Sequence, residues 1–193
     1  MKNISRARMT LVLGLLAVLV MPAVSAASDL PLKMKANAGM QTGGRTSIVD
    51  ISVNKWTPAE EREALIEHMR QPDGSLTLPQ ALQKLDTKGT IAFAGKLGIK
   101  LRYAYEFPKE GGNTIVMVAD RPVDVSEASF RGVTQKAFNT TLIVVELDEE
   151  GVGAGTLILA AEITFGADGK FEVKNVGQNP VHLGNVRVMG KKK

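Results

Sequence analysis

The chain has 193 residues, 44% apolar and 23% charged, with a formal net charge of +4 and no cysteine. That length supports one domain able to bury roughly 70% of its unfolded surface. The missing thiols exclude a disulfide scaffold, thiol catalysis, cysteine-ligated zinc and a lipid-modified cysteine anchor.

Residues 1–26 have the form of a secretory signal peptide. Lys2, Arg6 and Arg8 give a positive start, residues 10–20 an apolar run, and Val24-Ser25-Ala26 the small residues a leader peptidase reads. A transmembrane helix needs ~20 apolar residues, so a span is disfavoured and the mature chain is expected outside the cytoplasm, periplasmic or secreted. Losing this acid-free stretch takes the 24 basic residues to 21, against 20 acidic ones. So even a balance argues against a nucleic-acid binder, which needs a dense basic face.

Residues 27–44 lack periodicity and contain Gly39, Gly43 and Gly44, which predicts a flexible linker. A single β-rich domain is expected over 45–189, followed by a basic tail at 190–193. Residues 48–53 alternate, with Val49, Ile51 and Val53 on the inner side of a first strand. Thr57-Pro58-Ala59-Glu60 reads as a helix start with a capping box. Leu65, Ile66 and Met69 form its apolar stripe. A second helix is predicted from Thr77, with Leu78, Ala81, Leu82 and Leu85 on its apolar face. Both are too short to stand alone, since helices below ~12–15 residues are marginal in water.

A short strand is predicted over 90–94. Then 97–107 alternates strictly and places Ile99, Leu101, Tyr103, Tyr105 and Phe107 on one face. A turn at Pro108-Lys109-Glu110-Gly111-Gly112 leads into the apolar run 114–119, the composition of a strand covered on both faces. The long connection 121–139 holds Pro122 and Gly132, with an edge strand expected near 123–128. Four further strands are predicted: 140–147, 156–165 with Leu157, Leu159, Ala161, Ile163 and Phe165 in phase, 170–176, and 181–188. In the last of these a slip of apolar phase at Gly184 suggests a bulge.

The expected class is therefore α+β, mainly antiparallel β. It has about eight strands in a curled or barrel-like sheet, and two short helices inserted after the first strand. The lack of strand–helix alternation disfavours a Rossmann-type sheet.

Few residues promise chemistry. His68 and His182 lack a convergent ligand set, so no metal site is expected. No motif for a serine nucleophile, a phosphate loop or a cofactor is present. Asp120, Asp124 and Glu127 could act as acid and base or bind a cation, or Asp120 could simply cap a strand end while Arg121 pairs with a neighbouring carboxylate. Tyr103 and Tyr105 could line a cavity inside a barrel, or be core.

One resemblance adds to this. Arg45-Thr46, Trp56 with Glu61-Arg62, Leu82-Gln83-Lys84, Gly98 with Leu101-Arg102-Tyr103-Ala104, Asp120-Arg121-Pro122 and Pro180-Val181 resemble a family of exported single-domain bacterial proteins of unknown function. The likeness spans 45–188. It implies a secreted single domain, brings no catalytic residue, and draws attention to Arg102 and Arg121.

The functional expectation is an exported, non-catalytic binding protein without a cofactor, holding a small apolar or amphipathic ligand in a β-sheet cavity. Arg102, Tyr103, Tyr105, Asp120 and Arg121 are the candidate contacts. The alternatives are an envelope protein–protein interaction module and, third, a hydrolase using the carboxylates of 120–127.

Overall fold

A computed structural model describes residues 28–40, 46–123, 140–165, 171–174 and 180–190. Its strands are β1 (Leu32–Met40), β2 (Ser47–Val53), β3 (Gly89–Phe93), β4 (Ile99–Lys109), β5 (Gly112–Ala119), β6 (Thr140–Asp148), β7 (Val152–Phe165), β8 (Phe171–Lys174) and β9 (Val181–Val188). Helices α1 (Ala59–Met69) and α2 (Gly74–Gln83) lie between β2 and β3. The strand order is β6-β5-β4-β3-β2-β1-β9-β7-β8, and β6 also pairs with β7. Eight antiparallel strands therefore close into a barrel, and β8 extends it as a hairpin partner for the far end of β7. The tight turn between β4 and β5 uses Gly111 at φ 71° and Gly112 at φ 153°, backbone that a side chain would strain.

An eight-stranded barrel is just wide enough for its own side chains to fill it. Here Met34, Ile51, Phe93, Leu101, Met117, Ile143, Leu157 and Leu183 do so, all essentially solvent-free within one cluster. A second cluster lies on the outer face, where Met69, Leu78 and Leu82 of the helices cover Val118, Leu142 and Ile158. The apolar stripes of both helices thus meet the sheet, which is what stabilises elements this short. No helix among the described residues is long and apolar enough to cross a membrane.

The structure corrects five expectations. Residues 32–40 are not linker but β1, paired with β2 on one side and β9 on the other. Leu32, Met34, Ala36 and Ala38 point inward while Lys33, Lys35 and Asn37 are exposed. The alternation was present, but alanine and glycine carry weak strand propensity and disguised it. Because β1 precedes it, the strand before the helices is the second, so the helical pair follows β2 rather than the first strand.

Strand β4 does not keep one phase. Leu101 pairs with Ala119 and Tyr103 with Val118, so β4 carries one extra residue at Arg102. This bulge leaves Ile99 and Leu101 inside and turns Ala104 and Glu106 inward after them, sending Tyr103, Tyr105 and Phe107 to the outer face. A register shift in β7 does the same. Leu157 and Leu159 are in the interior cluster, whereas Ala161 and Ile163 join the cluster under the helices. The predicted bulge in β9 is present beside Gly184, at Asn185 with φ 51°.

Finally, Thr57 does not cap α1. Its hydroxyl accepts from Ala104 N at 2.9 Å, and its own N–H donates to Ala104 O at 2.8 Å. Beyond Leu101 the short strand β3 no longer covers β4, and Thr57 satisfies the backbone left exposed there. The expected edge strand at 123–128 falls outside the described residues, apart from buried Val123, whose N–H donates to Leu159 O and to Thr141 Oγ1.

Candidate functional site

The bulge at Arg102 determines where the sequence-selected residues go. Its guanidinium lies on the outer face, where Nε donates to Asp120 Oδ2 at 2.8 Å and Nη1 to Leu85 O at 2.9 Å. Nη1 also approaches Thr87 Oγ1 at 3.4 Å. Arg102 and Asp120 side chains are only 18% and 12% exposed. The pair ties the segment leaving α2 to the end of β5. Asp120 is thus held by a cation, and the residues that would join it in hydrolysis, Asp124 and Glu127, lie outside the described residues.

Tyr103 packs in the cluster beneath the helices. Burial pushes its phenol up to about 12, against an opposing pull from Arg62. Arg62 of α1 stacks on the Tyr105 ring, its guanidinium carbon 4.0 Å from the centroid. Tyr105 meets Phe107 edge to face, centroids 4.7 Å apart. Arg121 is exposed and donates to Pro122 O within its own turn. The structure therefore gathers Arg102, Tyr103, Tyr105 and Asp120 on the outer wall that faces the helices. It does not place Tyr103 and Tyr105 inside the barrel, because the bulge reverses their phase.

Above this wall α1 and α2 enclose an open groove of about 550 Å³. Half-buried Leu65, Ala81 and Leu85 form its apolar floor, and exposed Ala64 stands with Glu61, His68, Gln71, Asp73, Thr77, Gln80 and Lys84 on a mostly polar rim. Leu65 and Leu85 join the groove to the cluster that holds Tyr103. On the rim, Thr77 Oγ1 lies 3.0 Å from His68 Nε2 and donates to Asp73 O at 3.0 Å. The hydroxyl has one proton for two acceptors, the Asp73 carbonyl and His68 Nε2, and the imidazole tautomer decides which of them takes it.

At the base of α1, Lys88 Nζ sits 2.6 Å from Glu61 Oε2 with its side chain 3% exposed. Its charge is neutralised where water cannot reach it. Among the described residues no three histidine, aspartate or glutamate side chains converge as metal ligands.

No family model, curated protein or solved structure matches this chain.

The groove was invisible in the sequence, because its walls come from two helices whose relative placement depends on the sheet beneath. The one available signal was the pair of apolar stripes flanked by His68, Gln80 and Lys84. The partnership of Lys88 with Glu61 has no signal in the sequence, since the rest of α1 and all of α2 lie between them.

Proposed function

We propose that this protein is an exported, non-catalytic binding protein whose ligand seat is the groove between α1 and α2. The observation that carries this reading is the combination of a barrel filled by its own side chains with an open concavity that has an apolar floor and a polar rim. Its volume falls within the ~300–1,000 Å³ typical of small-molecule sites. Apolar floor and hydrogen-bonding rim together suit a small amphipathic molecule, its apolar part against Leu65 and Leu85 and its polar part toward His68, Gln80 and Lys84. Export rests on the leader-like residues 1–26, and kinship with exported bacterial proteins of unknown function would agree with it.

Native mass spectrometry of protein purified from its own periplasm or medium tests the proposal. A small molecule retained by the wild type and absent from Ala81→Trp, which fills the floor, supports it. A bare wild-type chain, or a molecule retained equally by both, refutes it.

A second reading, an envelope interaction module, is favoured by one observation. Leu97, in the turn between β3 and β4, is 91% exposed, and Leu76 at the start of α2 is also exposed. A co-purifying protein lost on Leu97→Ser would support this reading, and one retained would remove it.

A further inference from the structure

Glu106 is a carboxylate placed inside the barrel by the bulge in β4. Its register partner on β5 is the fully buried Ile115, and directly opposed residues share a face of the sheet. The residue is 9% exposed. Both carboxylate oxygens are taken by a single residue from the segment preceding β1. Ser28 Oγ donates to Oε1 at 2.6 Å and Ser28 N to Oε2 at 2.7 Å. Among the described residues no lysine, arginine or histidine forms an ion pair with Glu106. Two neutral donors orient the carboxylate but leave its charge without a counter-charge in an apolar setting, an arrangement that favours a cation wherever one can reach.

The chain itself can supply that cation. Cleavage after the small residues Val24-Ser25-Ala26 makes Ala27 the first residue and Ser28 the second. Hydrolysis of the Ala26–Ala27 bond adds water, hydroxyl to the Ala26 carbonyl carbon and hydrogen to the Ala27 nitrogen. That nitrogen then takes up a proton near neutral pH. It is one residue from Ser28 N, a reach of at most ~3.6 Å along the chain, and Ser28 N already touches the carboxylate.

We propose that Glu106 is the docking site for the processed N-terminus, whose α-ammonium forms an ion pair with it inside the mouth of the barrel. The proposal rests on the leader reading given above. In the precursor the same nitrogen is a neutral amide and the carboxylate keeps only its two Ser28 bonds. Processing therefore adds the missing charge and fastens the chain just ahead of β1, the strand that joins β2 to β9 and completes the ring.

The test uses the full precursor, expressed in a bacterium that exports it. Intact mass identifies the first residue of the purified product. Its α-amine is then titrated by NMR after reductive ¹³C-methylation, which keeps the charge. A free α-amine titrates near 7.7–8.0, and pairing with Glu106 is expected to raise this by about one unit. The rise should vanish in Glu106→Gln, and equally on inserting two glycines between Ala27 and Ser28. The insertion leaves Glu106 and Ser28 untouched, and it decides the matter alone if Glu106→Gln does not fold. Equal titration in wild type and variants, with Ala27 confirmed as first residue, overturns the ion pair. A mature chain that begins elsewhere overturns the leader reading and the docking with it.

Discussion

Arg102→Met separates a structural role for the Arg102–Asp120 pair from a ligand-binding one. The substitution keeps most of the aliphatic stem and removes every contact of the guanidinium: the charge-assisted bond to Asp120 Oδ2, the bond to Leu85 O and the longer approach to Thr87 Oγ1. An exposed ion pair contributes about 0–1 kcal/mol, and breaking a buried one costs about 3–5 kcal/mol. With side chains 18% and 12% exposed, this pair lies between those limits. The bond to Leu85 O adds about 1 kcal/mol. A loss of about 2–3 kcal/mol follows, which for a chain of this size lowers the thermal midpoint by about 5–10 °C. The damage should concentrate in the chain leaving α2, so amide exchange over residues 85–88 should accelerate in the native state. Asp120→Asn should cost less than Arg102→Met, and the double variant less than the sum of the two, because each alone already breaks the shared bond. Circular dichroism melts with exchange mass spectrometry provide both readouts. A midpoint within 1 °C of wild type and unchanged protection over 85–88 would refute the structural role and return Arg102 to the ligand contacts.

Three further outcomes follow from the same geometry. Tyr103, with a folded pKa of about 12 against 10.0, keeps its proton where the unfolded chain loses it. Its stabilising contribution is complete below pH 10 and is lost as pH rises toward 12. Phenolate absorbance should accordingly show Tyr103 ionising late, and Tyr103→Phe should flatten the alkaline fall in stability. Glu61→Gln leaves the buried Lys88 ammonium without its carboxylate and should cost about 2–3 kcal/mol in a urea titration. Adding Lys88→Met should recover much of that loss, because the uncompensated charge is then gone. In Gly153→Ala the new Cβ would lie 1.8 Å from Glu146 O, across the pairing of β6 with β7 that closes the ring. A cost of about 2–3 kcal/mol in urea is expected, and an unchanged midpoint would show that this seam yields easily.

Much of the fold is local and was therefore legible in the chain. Alternation in residues 48–53, the turn before Gly112, and the apolar stripes through Leu65, Met69, Leu78 and Leu82 depend only on periodicity and turn chemistry. These features specified antiparallel strands, two short helices and the sides they bury. Even β1 has the right period, carried by residues of weak strand propensity.

What only the tertiary structure decided is phase and partnership. A single extra residue at Arg102 reverses every side chain after it. The aromatic stripe was therefore found outside the barrel under the helices, and Glu106, which reads as the polar side of the strand, was found within. Lys88 with Glu61, Arg62 over Tyr105, and Ser28 on Glu106 are likewise contacts between segments far apart in sequence. Local pattern fixes which residues want burial, but the partner of each buried charge is set only when the ring closes.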